Sequence, residues 1–106
     1  MLMNIGGTIK LIRQVAGLTQ DELATRLDIT SNYVSLLENN HATPKLALLT
    51  RIESEFDVPA AFILWNSKFE SKKNDRDLSE RYRKLGEQMT ELAITLIRRR
   101  RGAEGA

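Results

Sequence analysis

The sequence contains no cysteine, which excludes a disulfide framework, a thiolate metal site and a cysteine nucleophile. Its single histidine, His41, cannot build a histidine-rich metal centre. There is no Gly-rich phosphate loop, no serine–histidine–acid arrangement and no carboxylate pair placed to face a pocket, so no enzyme, cofactor or metal is expected. The longest apolar run, Ala60 to Trp65, falls far short of the ~20 residues that cross a bilayer. Met1 to Ile5 lacks the charged start and apolar stretch of a signal peptide. A soluble, cytoplasmic chain with no membrane partner is expected. With only two prolines, no hairpin dipeptide and few alternating apolar–polar runs, there is little from which to build a sheet.

What remains is 106 residues, 42% hydrophobic and 28% charged, enough for one small domain and an appendage. The net charge of +2 conceals an asymmetry. Residues 1–66 carry five Lys/Arg against seven Asp/Glu, a net of −2, whereas residues 67–106 carry eleven against seven, a net of +4.

Helical spacing runs almost throughout. Ile5, Ile9, Ile12 and Val15 or Ala16 share one face, and Gly17 stands where a helix commonly ends left-handed. Thr19 and Glu22 form a T-x-x-E capping box that opens a short helix over 20–27, with Leu23, Ala24 and Leu27 inward. Asp28 follows at a turn, where aspartate tolerates left-handed geometry. Thr30 caps a third helix carrying Val34 and Leu37 inward, and a polar loop spans Asn39 to Thr43. Thr43 before Pro44 predicts the cap of a fourth helix with Leu46, Leu49, Ile52 and Phe56 on its buried face. Asp57-Val58-Pro59 breaks that helix, and Ala60 to Trp65 forms a fifth. The expected core is Ile9, Ile12, Leu23, Leu27, Val34, Leu37, Leu49, Ile52, Val58 and Phe62.

The stretch Gln20 to Asn39 meets the demands of a DNA-reading helix-turn-helix. Ala24 is small where the two helices approach, Asp28 suits the turn, and Leu23, Leu27, Ile29, Val34 and Leu37 can lock the interhelical angle. The outer face of the second helix is polar and varied. Residues 5–65 resemble the Cro/CI-like, or Xre, family in Leu18-Thr19-Gln20, Leu23-Ala24, Leu27-Asp28-Ile29-Thr30, Val34, Leu37-Glu38-Asn39-Asn40, Thr43-Pro44 and Leu49. Where the family often has glycine, this chain has Asp28 and Asn40.

That resemblance implies an all-α, five-helix lambda-repressor-like domain and double-stranded DNA as partner. It places Gln20 on a phosphate, with a brace to a recognition residue. Thr30, Ser31, Asn32, Tyr33, Ser35 and Leu36 take the groove-facing positions. Asn39, Asn40, His41 and Thr43 occupy the loop that touches the next phosphates. Among these, Asn32 is the best base reader, since its amide can pair with the adenine N6/N7 edge. No Lys or Arg occupies this surface, although phosphate contacts dominate affinity. Dimerisation or the arginines further along the chain would supply the deficit.

Residues 67–76 read as a linker, and Asp77 with Glu80 as a second capping box opening a helix over 77–101. Leu78, Tyr82, Leu85, Met89, Leu92 and Leu96 recur at intervals of 4, 3, 4, 3 and 4, a heptad stripe. Folding back onto the core would use such a stripe, as would self-association. Arg98 to Arg101 complement the helix end or reach phosphates, and Gly102 to Ala106 are expected to fray. The combined expectation is a DNA-binding domain over 4–66 and an oligomerisation helix over 77–101. The whole would be a homodimeric regulator, most simply a repressor, on an inverted repeat. The alternative is an antitoxin or other interaction module whose C-terminal helix binds a partner protein.

Overall fold

The computed structural model describes the backbone of residues 4–68 and 76–105 and the side chains of residues 4–64 and 80–103. Six helices follow in order: α1 (Ile5–Val15), α2 (Gln20–Leu27), α3 (Ser31–Glu38), α4 (Leu46–Phe56), α5 (Ala60–Lys68) and α6 (Arg76–Gly105). No strand occurs among the described residues, and no helix there is long and apolar enough to cross a membrane. All ten expected core residues are buried, joined by Ala24, Phe56, Ile63, Ala93 and Ile97.

The ends of the first three helices follow one pattern. Asn4, Thr19 and Thr30 each accept a backbone N–H from the residue three positions on, satisfying a donor that helix geometry leaves orphaned. At the other end, Gly17, Asp28 and Asn40 take left-handed φ of 75°, 57° and 60°. In each case the next residue's N–H bonds the carbonyl five back: Leu18 to Arg13, Ile29 to Ala24, His41 to Leu36. This is the Schellman closure. Asp57 (φ 56°) ends α4, and α5 starts with the Ala60 N–H donating to the Glu53 carboxylate at 2.7 Å.

α1 crosses α3 very closely at Gly6. A methyl group there would lie 2.4 Å from the Leu37 carbonyl oxygen and 2.7 Å from that of Glu38. The Gly6 N–H, one of the orphaned donors of the α1 amino terminus, is taken up by Asn40 Oδ1 at 2.9 Å. Buried Thr8 is satisfied within α1, its hydroxyl donating to the Asn4 carbonyl at 3.0 Å.

Four expectations need correction. Thr43 does not cap α4: Pro44 is buried ahead of the helix, the N-cap is the extended Lys45, and no side chain caps the helix. Leu46, now the first helical residue, sits one turn before Leu49 beyond the edge of the core and is 73% exposed. The helix does not fray at Gly102 but runs to Gly105, since a lone glycine costs only about 1 kcal/mol and Arg100 and Arg101 are anchored on the body. α6 already includes Arg76, so Asp77 lies within the helix; the side chains of Asp77 and Leu78, and residues 69–75 of the expected linker, lie outside the described residues.

α6 packs on α1, α4 and α5. The face it buries takes in only part of the heptad stripe: Gly86, Ala93 and Ile97, outside the stripe, are buried, and Met89 of the stripe packs half-buried against the core beside them. On the adjoining face Leu85 and Leu92, 44% and 59% exposed, stand in solvent, while Tyr82 and Leu96 are half-buried between the two.

Candidate nucleic-acid interface

α2 and α3 are joined by the Asp28–Thr30 turn and held by Leu23, Ala24, Leu27, Val34 and Leu37, all buried. The Thr19–Glu22 capping box is complete, each partner accepting the other's backbone N–H at 2.9 and 3.1 Å. The backbone N–H of Thr19, then its hydroxyl, then Arg26 hold the Glu22 carboxyl below its ordinary range. Across the turn, the Ser31 hydroxyl donates to the Asp21 carboxylate and ties together the amino-terminal turns of both helices. The short polar side chain of Ser31 is thereby engaged within the motif.

Gln20 is positioned from behind. Its amide donates at 3.2 Å to Glu38, whose carboxylate also accepts from Arg13 Nε at 2.7 Å and Arg13 Nη2 at 3.1 Å. Arg13 Nη1 in turn donates to the Leu18 carbonyl at 2.9 Å. The Glu38 side chain is only 3% exposed and that of Arg13 14%, so a buried, fully hydrogen-bonded ion pair links α1, the α1–α2 turn and the end of α3. The resemblance implied a brace between Gln20 and a recognition residue; the hydrogen bond found here goes to Glu38. Nothing in the periodicity flags that glutamate, though a carboxylate at the end of a helix with apolar neighbours is a residue to query.

The other expected contacts divide by exposure. On α3, Asn32 is exposed and Leu36 is 36% exposed, whereas Ser31, Tyr33 and Ser35 are half-buried, Tyr33 packing against the core. Thr30 is exposed at the cap, its Oγ1 accepting the Tyr33 N–H at 3.0 Å. After α3, Asn39 folds its amide back onto the Ser35 carbonyl at 2.9 Å, and Asn40 turns its oxygen to Gly6. The Asn40 amide group still has donors to spend outward. His41 and Thr43 are exposed in the loop, with Lys45 just beyond. Asn32, Leu36, the loop and braced Gln20 thus share one motif, which offers neutral donors and helix amino termini to a polyanion. α3 carries no Lys or Arg, and the nearest guanidinium, Arg13, is committed to Glu38.

Fold and turn geometry together define a helix-turn-helix protein. The helix-turn-helix family profile matches residues 9–63, just over half of the chain. The HTH-type transcriptional regulator ImmR of Bacillus subtilis (strain 168) is 34% identical over 76 residues, which cover 72% of this chain and 59% of that protein. The HTH-type transcriptional regulator PrpR of Mycobacterium tuberculosis (strain ATCC 25618 / H37Rv) is 35% identical over 57 residues, 54% of this chain and 12% of that protein. The match therefore spans about three fifths of one curated relative and about an eighth of the other. No solved structure matches. The chain belongs to the Cro/CI-like (Xre) helix-turn-helix family of transcriptional regulators.

Proposed function

We propose that the chain is a sequence-specific double-stranded DNA-binding repressor of transcription, acting in the cytoplasm as a homodimer on an inverted repeat. The carrying observation is the exposed face of α3, with Asn32 outward and Gln20 held beside it by the Glu38–Arg13 pair. α3 enters the major groove, Asn32 reads an adenine edge, Leu36 meets thymine methyls, and the amino terminus of α2 and the 39–43 loop hold phosphates. Two copies place their recognition helices about 34 Å apart, one turn of the duplex.

Support for the homodimer comes from the stripe of Leu85 and Leu92 beside an apolar groove of about 70 Å³ lined by Pro59, Phe62, Met89, Leu92, Ala93 and Leu96. The groove runs between α5 and α6 with Leu92 on its wall, so a two-fold axis between copies would let the exposed leucines of each meet the groove of the other. A single exposed leucine needs no explanation, whereas two at heptad spacing beside a groove call for a partner. The same exposure favours the second reading, a partner protein bound through α6 in the manner of an antitoxin.

One experiment separates these readings. Duplexes are selected from a random pool by the full chain and by its Leu85→Asp/Leu92→Asp variant, with molecular mass measured in parallel. The wild type is expected to be dimeric and to enrich an inverted repeat, and the variant to be monomeric and to retain at most a half-site. A variant that stays dimeric rejects the α6 interface. A wild type that enriches nothing at moderate salt rejects the DNA reading and leaves the partner-protein reading in its place.

A further inference from the structure

The amino-terminal turns of α2 and α3 meet through two side chains. The hydroxyl of Ser31, the first residue of α3, donates to the carboxylate of Asp21, the second residue of α2. Asp21 is exposed and Ser31 half-buried, so this bond lies at the surface of the motif and not in its core. Caps on either side hold both turns in place. Thr30 Oγ1 accepts the Tyr33 N–H at 3.0 Å, and Thr19 Oγ1 accepts the Glu22 N–H at 3.1 Å. Gln20 stands next to Asp21, but its amide donates to Glu38 at 3.2 Å.

A serine hydroxyl by itself carries little sequence code. It can donate its one hydrogen or accept on its lone pairs, so it suits a keto and an amino base edge equally well. Asp21 removes that freedom. A carboxylate offers acceptors alone, so the single hydroxyl hydrogen of Ser31 is directed to Asp21 and is not free for a base. Ser31 keeps only lone pairs to present. An acceptor in the major groove matches the amino groups of adenine and cytosine and is repelled by the carbonyl oxygens of guanine and thymine. Ser31 directly precedes Asn32 in the first turn of α3, the part of a recognition helix that reaches base edges.

We infer that Asp21 is a positioning residue that sets base preference: by taking the Ser31 hydrogen it fixes that hydroxyl as an acceptor, which selects amino over keto base edges. Asp21 acts through Ser31 and itself meets no base. This rests on the DNA-binding reading and adds to it a discrimination imposed on α3 from the first turn of α2.

The test is selection of duplexes from a random pool by the full chain, with Ser31→Ala and Asp21→Asn run in parallel. Ser31→Ala identifies the base pair that Ser31 faces, because preference is lost there and kept elsewhere. At that position the wild type is expected to favour adenine and cytosine together over guanine and thymine on one strand, by about threefold to tenfold, the range of one hydrogen bond. Asp21→Asn keeps the size of the side chain, but its amide can accept from Ser31 or donate to it. The amino–keto split should therefore fall below about twofold, with preferences at the other positions unchanged. Removing a negative charge near phosphates should also raise affinity for every duplex alike, which leaves relative enrichment within one pool untouched. The Ser31→Ala/Asp21→Asn double variant should lose no more at that position than Ser31→Ala alone. The inference is overturned if the split survives Asp21→Asn, if the wild type separates purine from pyrimidine there instead, or if Ser31→Ala alters no position. A wild type that enriches no duplex defeats the DNA-binding reading itself, and the inference falls with it.

Discussion

Replacing Glu38 with alanine strikes the point where α1, α2 and α3 are tied together. It removes the acceptor of two Arg13 bonds and one Gln20 bond and leaves a guanidinium in a site where its side chain is 14% exposed. Breaking a buried pair from one side costs about 3–5 kcal/mol, because the remaining charge is neither paired nor hydrated. Arg13 keeps its bond to the Leu18 carbonyl and some access to water, so the loss should fall near the lower bound, about 3 kcal/mol. Against a typical domain stability of about 5–15 kcal/mol this is a large fraction, and it corresponds to a fall in Tm on the order of 15 °C for a chain of this size. Urea unfolding followed by far-UV circular dichroism, at one fixed chain concentration because any self-association would add to apparent stability, reads the change directly. The Arg13→Met/Glu38→Leu double variant should be far less damaged than the single one, since packed apolar residues can replace an ion pair at little cost. A Glu38→Ala loss below about 1 kcal/mol, the range of an exposed pair, would refute the assignment of this knot as buried and structural.

Two further outcomes are expected. Gly6→Ala should destabilise by about 2 kcal/mol despite alanine's better helix propensity, because the two closest of its three obstructing atoms are backbone oxygens of α3 and the third is Asn40 Oδ1; thermal unfolding that shows a gain would mean α1 can move away freely. Glu22 has its carboxyl pKa lowered in the folded chain, so its stabilising effect is complete above its ordinary value of 4.5 and is lost as pH falls through and below it. Glu22→Gln should therefore be less stable than the wild type near neutrality, with the gap closing in acid; a gap that does not narrow as pH falls below 4.5 would show that the effect is not ionic.

The parts of the fold that were legible in sequence are those governed by local chemistry. The Thr19–Glu22 box, the Thr30 cap, the left-handed Gly17 and Asp28, and the apolar spacing of α1 to α3 each act within a few residues, and each is found. The features that were not legible depend on which elements meet. Glu38 is a surface residue by type, and only the arrival of Arg13 and Gln20 makes it a buried one. Asn40 has the composition of a loop residue, yet its oxygen belongs to α1. On α6 the leucines form the better stripe by hydropathy, but the helix rests on Gly86, Ala93 and Ile97 together with Met89, since which residues are buried depends on how the helix meets α1, α4 and α5. Asn32 was legible as a candidate from its amide and its place on α3. The orientation of Gln20 required the ion pair to be seen.

The seating of α6 also sets an order of assembly. Of the buried apolar residues among those described, all but Ala93 and Ile97 precede residue 64. During synthesis the first five helices thus have nearly their whole interior to hand before the last one emerges, and amino-terminal segments are the first to fold. The bond from Arg101 to Val15 joins residues 86 positions apart, but closing so long a loop costs only about 2 kcal/mol more than closing one of ten residues. A nascent chain is therefore expected to form its reading head first, and to acquire its leucine stripe and its arginines only when α6 settles on a surface already made.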